Sequence, residues 1–265
     1  MKYRGAPGAI VMTNLCNARL PSNFTPLLSP PRVRLAVVSD LHANLEASEA
    51  VFADADARGV NAVLCLGDIV GYGPDPAECV ELVRERCETA ILGNHDAAVA
   101  LNADVGVLPR DGQAAARLHQ ALLSDDHLEW LGALPLRTVA HAVTLAHAAP
   151  DHPEDWPRLD SFQAIQAQFD AFDTDLCFVG HSHKPAVASN SLGVFNVRPG
   201  HRFLVDVGSV GQPRDHDPRA SYAVYDTDAF KVEIVRVHYD VARTASKITR
   251  RGLPPDLGSR LLRGV

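Results

Sequence analysis

Long hydrophobic runs are missing from this sequence. No stretch approaches the ~18 apolar residues of a membrane-spanning helix, and the mildly apolar segment 9–12 is too short for a signal peptide. Positive charge is also scarce, because 25 lysines and arginines face 32 aspartates and glutamates, which gives a net charge of −7. Non-specific nucleic-acid binding depends on lysine and arginine neutralising phosphates, so this balance argues against a nucleic-acid partner.

Paired cysteines are absent as well. The five cysteines show no C-x-x-C spacing, and an odd number is typical of reduced thiols in a cytosol. We therefore expect a cytoplasmic protein. The sequence also has no P-loop, no G-x-G-x-x-G after the first expected strand and no G-x-S-x-G elbow. Nucleoside triphosphate binding by those loops, and serine hydrolase chemistry, are therefore unsupported.

The composition indicates one main domain. An apolar content of 46% over 265 residues is enough to bury a large core. Residues 1–32 contain several prolines, few charges and no periodicity, so we expect a disordered leader there. The domain is expected over 33–250, followed by a peripheral C-terminal tail over 251–265.

Strand and helix signals alternate in the first part of the domain. Apolar runs at 33–38, 62–66 and 89–92 predict strands, and helices are expected over 45–58 and 77–86. This order is typical of parallel βαβ units.

The second part of the domain has a different pattern of apolar residues. Helices are expected over 113–133 and 160–171, and from Ala186 onward the pattern changes to short alternating strands of an antiparallel kind. The strands expected in this part are 143–146, 176–179, 194–197, 203–207, 221–226 and 230–238.

Polar residues that can bind metal ions through oxygen or nitrogen follow most of these strands. They are Asp40, His42, Asp68, Asn94, His95, Asp96, His147, His181 and His183. Carboxylate, amide and imidazole groups without a thiolate suit first-row divalent metals. Open α/β sheets bind ligands at the carboxyl ends of their strands. The pattern therefore predicts a two-metal hydrolytic site.

The order of these clusters resembles the calcineurin-like metallophosphoesterase family, whose pattern is D-x-H, G-D, G-N-H-[DE], H and G-H-x-H. Here it reads Asp40-Leu41-His42, Gly67-Asp68, Gly93-Asn94-His95-Asp96, His147 and Gly180-His181-Ser182-His183. The resemblance covers roughly residues 33–240 and is closest to small prokaryotic phosphodiesterase-type members. It implies an α/β fold, a four-layer α/β/β/α sandwich with two facing mixed sheets flanked by helices.

The resemblance also implies the ligand sets. One metal ion would take Asp40, His42, Asp68 and His183, and the other would take Asp68, Asn94, His147 and His181. Asp68 and a hydroxide would bridge the two ions, and the hydroxide would attack phosphorus. Mn²⁺ is the first choice by this resemblance, with Fe, Zn²⁺ and Ni²⁺ as alternatives because general affinity favours Zn²⁺ or Ni²⁺.

Asp40 and His42 also set a geometric condition. They are two residues apart, so a continuing strand would hold their side chains on one face but about 6.6 Å apart. They can converge on one ion only if the chain turns just after the strand.

Further residues are expected to handle the substrate. The resemblance implies that His95 acts as a general acid or stabilises charge on the phosphoryl oxygens, with Asp96 orienting its imidazole, while a purely structural hydrogen bond is the alternative. Asn94 is expected to contact substrate. Tyr72 either lines the site or packs against its turn. Arg214 either contacts a phosphate or forms a salt bridge with a neighbouring aspartate.

The expected activity is metal-dependent hydrolysis of a small phosphodiester or nucleotide. A phosphomonoesterase and a non-catalytic scaffold of the same fold are the alternatives. A protein phosphatase is disfavoured, because the arginine of G-D-x-x-D-R-G is absent from 67–73. A nuclease would require a basic groove, which the acidic balance disfavours. The expected partner is a small phosphate ester, with no membrane and no nucleic acid.

Overall fold

The computed structural model describes residues 33–194 and 196–265. The leader expected over 1–32 lies outside these described residues. Within them, no helix is both long and apolar enough to cross a bilayer.

Ten strands and eight α-helices make up the described chain. The strands are β1 (Arg34–Val38), β2 (Ala62–Cys65), β3 (Thr89–Ala90), β4 (Arg137–Ala140), β5 (Val143–Ala146), β6 (Leu176–Val179), β7 (Ala186–Ser189), β8 (Phe203–Asp206), β9 (Ala220–Asp226) and β10 (Lys231–Val237). The helices are α1 (Leu45–Ala57), α2 (Pro76–Arg86), α3 (Asn94–Ala100), α4 (Arg110–Leu122), α5 (Asp125–Gly132), α6 (Phe162–Ala167), α7 (Val241–Arg250) and α8 (Pro255–Leu261).

The strands form two mixed five-stranded sheets. The first has the order β10-β9-β1-β2-β3, with β1, β2 and β3 parallel and β9 antiparallel to both of its neighbours. The second has the order β4-β5-β6-β8-β7, with β5, β6 and β8 parallel. Each sheet therefore contains three parallel strands, and polar loops follow their carboxyl ends.

The main core lies between the two sheets. Apolar side chains from both inner faces pack there, including Leu35, Val37, Leu64 and Leu66 from the first sheet and Leu145, Phe178, Phe203 and Val205 from the second. Alternate residues of the first sheet face helices α1 and α2 through Val51, Phe52 and Val80. Phe169 and Phe172, which follow α6, cover the outer face of the second sheet. The four-layer α/β/β/α sandwich expected from the sequence is confirmed.

Several elements differ from their sequence-based predictions. The helix expected over 113–133 is two helices, because Ser124 begins α5 and its hydroxyl accepts a hydrogen bond from the backbone N–H of His127. Strand β3 is only two residues long, because the N–H of Leu92 bonds to Pro135 instead of a sheet neighbour. β4 and β7 were not predicted, and no strand occurs among the described residues of 194–197.

The last fifteen residues are packed against the domain. Leu253, Leu257 and Leu261 are buried in a cluster with Tyr72 and Ile248. The segment expected as a peripheral tail therefore contains α8 and supports the turn that carries Tyr72.

Candidate metal centre

The carboxyl ends of parallel strands from both sheets meet at one edge of the sandwich. Asp40 and His42 follow β1, Asp68 follows β2, His147 follows β5, and His181 and His183 follow β6. Contacts between the sheets join these loops, since His183 Nε2 lies 3.2 Å from Asp40 Oδ1 and His147 Nε2 lies 3.3 Å from Asp68 Oδ2. The structure thus brings together side chains that are far apart in the sequence.

The backbone at these positions is unusual. Five of the candidate ligands have left-handed conformations with φ between 47° and 65°, namely Asp40, His42, Asp68, His181 and His183. Positive φ is uncommon for residues other than glycine and concentrates at functional sites. It also provides the turn expected at Asp40 and His42, where His42 Nε2 lies 3.6 Å from Asp40 Oδ1. That geometric expectation is confirmed.

The first cluster consists of Asp40, His42 and His183, whose ligand atoms lie within 4.8 Å of one another. His42 Nε2 is 3.1 Å from His183 Nε2 and 3.6 Å from Asp40 Oδ1. All three side chains are buried. The cluster offers one carboxylate oxygen and two imidazole nitrogens to a common point.

The second cluster consists of Asp68, His147 and His181, whose ligand atoms also lie within 4.8 Å of one another. Asn94 joins it, because its Oδ1 lies 3.2 Å from His147 Nε2 and 3.0 Å from His181 Nδ1. This is the composition that the sequence predicted for the second ion.

Asp68 lies between the two clusters. Its Oδ2 is 3.3 Å from His147 Nε2 and 3.7 Å from His42 Nε2. Its Oδ1 accepts a hydrogen bond of 2.8 Å from the backbone N–H of His95, which fixes the orientation of the carboxylate. The position suits a carboxylate shared by two ions.

Three imidazoles are oriented through their second nitrogen. The Nδ1–H of His42 donates to Val70 O at 3.0 Å, that of His147 to Leu66 O at 2.8 Å, and that of His183 to Gln212 O at 2.5 Å. In this tautomer, Nε2 of each ring faces the cluster and would offer its lone pair to a bound metal ion. Backbone carbonyls commonly hold metal-ligating histidines in this way.

These lone pairs fit a divalent cation. His42 Nε2 and His183 Nε2 face each other at 3.1 Å, although two acceptor nitrogens cannot hydrogen-bond to one another. Asp40 Oδ1 is buried beside them and has no hydrogen-bond partner among the described residues. An unpaired buried carboxylate oxygen is costly, and a cation at this point would satisfy all three atoms. The residues present therefore fit the metal ions that the sequence predicted.

Charge in the cluster supports the same conclusion. Burial opposes ionisation of Asp40 and Asp68, but the surrounding histidines hold the pKa of each carboxyl below its usual range. Burial lowers the pKa of His181 and of His183 to about 4, so both rings are neutral near pH 7. Against the effect of burial, Asp68 raises the pKa of His147 to about 10. Two buried carboxylates thus lie beside the neutral rings of His181 and His183, and the cluster favours added positive charge.

Two glycines allow the loops to approach so closely. A Cβ atom at Gly93 would lie 2.2 Å from the backbone nitrogen of Asp68, and one at Gly180 would lie 2.0 Å from Ser39 Oγ. Neither contact leaves room for a side chain, which explains the glycines in the G-N-H-D and G-H-S-H motifs.

His95 lies beside the clusters, at the start of α3. It is only 4% exposed, and burial lowers the pKa of its imidazole well below the usual range. Its Nδ1 has no hydrogen-bond partner among the described residues. The ring also lines a cleft of about 400 Å³ that opens over the metal centre.

Asp96 does not orient His95. Its Oδ1 accepts the N–H of Val70 at 3.0 Å, and its Oδ2 accepts the N–H of Gly93 at 3.1 Å. Both oxygens are therefore used to join the turn after β2 to the start of α3. The orientation of the imidazole expected from the sequence is corrected by this geometry, and Asp96 is a positioning residue for two loops.

Tyr72 both lines the cleft and packs against the turn. Its ring centroid is 4.8 Å from that of His42 and 4.4 Å from that of His95. Arg214 Cζ lies 5.5 Å from the same ring, a distance typical of a cation–π contact. The two alternatives left open for Tyr72 are therefore compatible.

Arg214 does not pair with the aspartates that follow it. Asp215 pairs with Arg236, and Asp217 pairs with Arg219 at 2.6 Å. The guanidinium of Arg214 instead donates to Gln212 Oε1 at 2.8 Å and lines the cleft. No ion pair to Arg214 occurs within residues 33–194 and 196–265, so its charge is available to the cleft.

The segment after β8 supports the first cluster. Ser209 Oγ donates to Asp40 O at 2.9 Å, and the N–H of Gly211 donates to the same oxygen at 2.8 Å. The carbonyl of Gln212 accepts from His183. The sequence alone did not reveal this role.

His119 is a supporting residue that the sequence alone did not reveal. It is fully buried on α4, its Nδ1 accepts the N–H of Gly71 at 3.1 Å, and its Nε2–H donates to Gly73 O at 2.9 Å. It therefore holds both sides of the Tyr72 turn. The sequence feature that could have indicated its burial is its position on the apolar face of α4, with Ala115 and Ala116.

His119 should make stability depend on pH. Burial lowers its pKa to about 4, whereas the unfolded value is about 6.5. Between these values only the unfolded chain binds the proton, so the free energy of unfolding falls as pH decreases from about 6.5 to 4. In metal-free protein, wild type should lose about 2 kcal/mol more than His119→Gln between pH 7 and 4.5.

Urea unfolding at the two pH values measures this difference. His201→Gln, at a partly exposed histidine that does not line the cleft, controls for the loss of one imidazole. Equal losses in wild type and His119→Gln would contradict the prediction.

Comparisons with known proteins agree with the fold and the site. The family model described as the calcineurin-like phosphoesterase superfamily domain matches residues 33–229. An uncharacterised protein of Methanocaldococcus jannaschii is 41% identical over 241 residues, which cover 87% of this chain and 98% of that protein.

Solved structures of other proteins have the same fold. A metallophosphoesterase from Sphaerobacter thermophilus is 38% identical, with a TM-score of 0.78 over 88% of this chain and 99% of that chain. A hypothetical protein from Pyrococcus horikoshii shares the fold at 21% identity and a TM-score of 0.69, with 88% and 99% of the two chains covered. The family model alone spans well over half of the sequence. This chain is a member of the calcineurin-like phosphoesterase superfamily.

Proposed function

We propose that the protein is a phosphodiesterase that uses two divalent metal ions, with Mn²⁺ as the first choice, and hydrolyses a small phosphodiester. The position of Asp68 carries this proposal. Its Oδ2 lies 3.7 Å from an imidazole of the first cluster and 3.3 Å from one of the second. A carboxylate within reach of two ligand sets is the feature that distinguishes a two-metal site from two separate sites.

Asp40, His42, Asp68 and His183 would hold one ion, and Asp68, Asn94, His147 and His181 would hold the other. When bound, the ions would supply Lewis acidity for the phosphoryl group and a nucleophile from water at neutral pH. The protein contributes the fixed direction of the ligand atoms, since backbone carbonyls hold three of the imidazoles.

His95 and Arg214 would act on the substrate itself. Both line the cleft over the metal centre. The cation of Arg214 would bind a phosphoryl oxygen and oppose the charge that develops on it. The imidazole of His95 would give a proton to the leaving oxygen once the negative charge of the bound substrate raises its pKa, and its Nδ1, which lacks a partner among the described residues, leaves the ring free of a competing protein hydrogen bond.

The carboxylates of the cleft that lie apart from the metal ligands favour a diester over a monoester. Its outer wall carries the carboxylates Asp104, Glu154 and Asp155 against the cations Arg158 and Arg214. A phosphodiester carries one negative charge and a monoester nearly two near neutral pH, so these carboxylates repel the monoester more strongly. The same wall disfavours a polyanionic nucleic acid.

The test compares two nitrophenyl esters. Protein stripped of metal and reloaded with Mn²⁺, Fe²⁺, Zn²⁺ or Ni²⁺ is assayed with bis-p-nitrophenyl phosphate and with p-nitrophenyl phosphate. We expect turnover only after reloading, fastest with Mn²⁺, and a higher kcat/KM for the diester. Faster hydrolysis of the monoester would replace the diester assignment, and failure to bind metal would support a scaffold.

A further inference from the structure

A second cavity adjoins the cleft. It has a volume of about 610 Å³ and shares Arg158, His181 and Arg214 with the cleft over the metal centre. The size lies within the range of small-molecule sites in proteins. A ligand with its phosphate at the metal centre could therefore extend past these three residues into the cavity.

The floor of the cavity is the outer face of the second sheet. Asp206 on β8 lies between Val179 on β6 and Ala186 on β7, and Leu204 on β8 is paired with Ala188 on β7. All five residues line the cavity. The edge strand contributes only methyl groups to this face, and the depression results from their small size.

Apolar residues also form one wall. Pro157 and Leu159 line the cavity from the segment that leads into α6, and Ile165 lines it from α6 itself. Leu159 and Ile165 are partly buried against the apolar cluster below them. The cavity thus has a largely apolar floor and an apolar wall, with charged residues such as Asp160 and Lys184 elsewhere in its lining, which suits a flat ring that also carries polar groups.

Polar acceptors lie at one end of the floor. Asp206 Oδ2 accepts the Ser182 hydroxyl at 2.6 Å, and Oδ1 accepts the N–H of Gly208 at 2.9 Å. Each carboxylate oxygen can accept more than one hydrogen bond, so capacity remains toward the cavity. Burial raises the pKa of this carboxyl well above its usual value, and added N–H donors would favour its charged form. A ring with N–H groups would meet these acceptors, whereas an alkyl chain would leave them unused.

We propose that this second cavity binds the base of a nucleotide whose phosphate lies in the cleft over the metal centre. The inference rests on the proposed phosphodiesterase function and makes its substrate a nucleotide ester. The apolar floor takes the face of the base, the Asp206 end accepts its N–H groups, and Arg158 and Arg214 face the phosphate where the two cavities join.

Binding of products tests the inference. Calorimetry on Mn²⁺-loaded protein measures the dissociation constants of the four common ribonucleoside 5′-monophosphates and of ribose 5-phosphate, which lacks a base. We expect at least one nucleotide to bind ~10-fold more tightly than ribose 5-phosphate. Ala188→Phe fills the floor and should reduce this ratio to within about twofold. Val187→Phe places the same ring on the opposite face of β7 and should preserve it.

The outcomes separate the two proposals. Equal binding of nucleotides and ribose 5-phosphate in wild type, or a ratio that survives Ala188→Phe, would overturn the base site and leave the phosphodiesterase intact. Nucleoside binding to metal-free protein, followed by ligand-observed NMR, provides a second measurement. If wild type and Val187→Phe bind the nucleoside, Ala188→Phe does not, and no ester is hydrolysed, the base site is supported and the proposed activity is wrong.

Discussion

Asp68→Asn should lower kcat/KM for bis-p-nitrophenyl phosphate by ~10³-fold or more, which corresponds to about 4 kcal/mol of transition-state stabilisation. The substitution keeps the size of the side chain and an oxygen for the N–H of His95, but it removes the negative charge between the two clusters. Two cations close together repel each other unless an anion lies between them. The metal content after dialysis, measured by elemental analysis, should fall from about two ions per chain to one or fewer.

Asp75→Asn is the matched control for this variant. Asp75 is a buried carboxylate in the same loop, but it pairs with Lys247 and does not contact the clusters. It should lose stability and keep both metal content and kcat. If Asp68→Asn retained two ions and most of its activity, the two-metal assignment would be wrong.

His95→Ala should keep both metal ions and lose ~10²- to 10³-fold in kcat, the range expected for removal of a general acid. The imidazole lines the cleft, and it lies outside the two ligand sets assigned to the ions. The size of the loss should depend on the leaving group. A general acid matters less for p-nitrophenolate, which leaves readily, than for an alkoxide, which needs a proton.

The measurement compares nitrophenyl and alkyl diesters in wild type and His95→Ala. A larger loss for the alkyl diester identifies the general acid, whereas equal losses would identify a residue that only stabilises phosphoryl charge. His201→Ala, at a histidine that does not line the cleft, controls for the loss of an imidazole. A drop in metal content in His95→Ala would contradict both roles, because the ring would then be a ligand.

Most of the metal centre could be predicted because its ligands belong to short motifs in the sequence. Each candidate ligand belongs to a short motif at the end of an apolar run, and parallel strands bring their carboxyl ends to one edge. The turn at Asp40 and His42 was predictable for the same reason, since a straight strand would hold the two side chains about 6.6 Å apart. The positive φ values at both residues show how the chain meets that condition.

The roles of Asp96 and Arg214 could not be predicted. The carboxylate of Asp96 accepts hydrogen bonds from the backbone N–H groups of Val70 and Gly93, and Val70 lies 26 residues away in the sequence. Arg214 is available because Arg236 and Arg219 already hold the neighbouring aspartates. Adjacency in the sequence suggested that Asp96 contacts His95 and that Arg214 pairs with a neighbouring aspartate. In the folded protein, other groups bind these aspartates instead.

The sequence by itself determined the chemistry of this protein: the oxygen and nitrogen ligands, their order on alternating strands, the sandwich fold and the family. Only the tertiary structure decided what lies between and beside those ligands. The distances around Asp68, the support from His119 and the cavity over Ala186 and Ala188 arise from contacts between elements remote in the chain. Local patterns specify strands and loops, but packing decides which side chains meet, which charges remain available and where space is left.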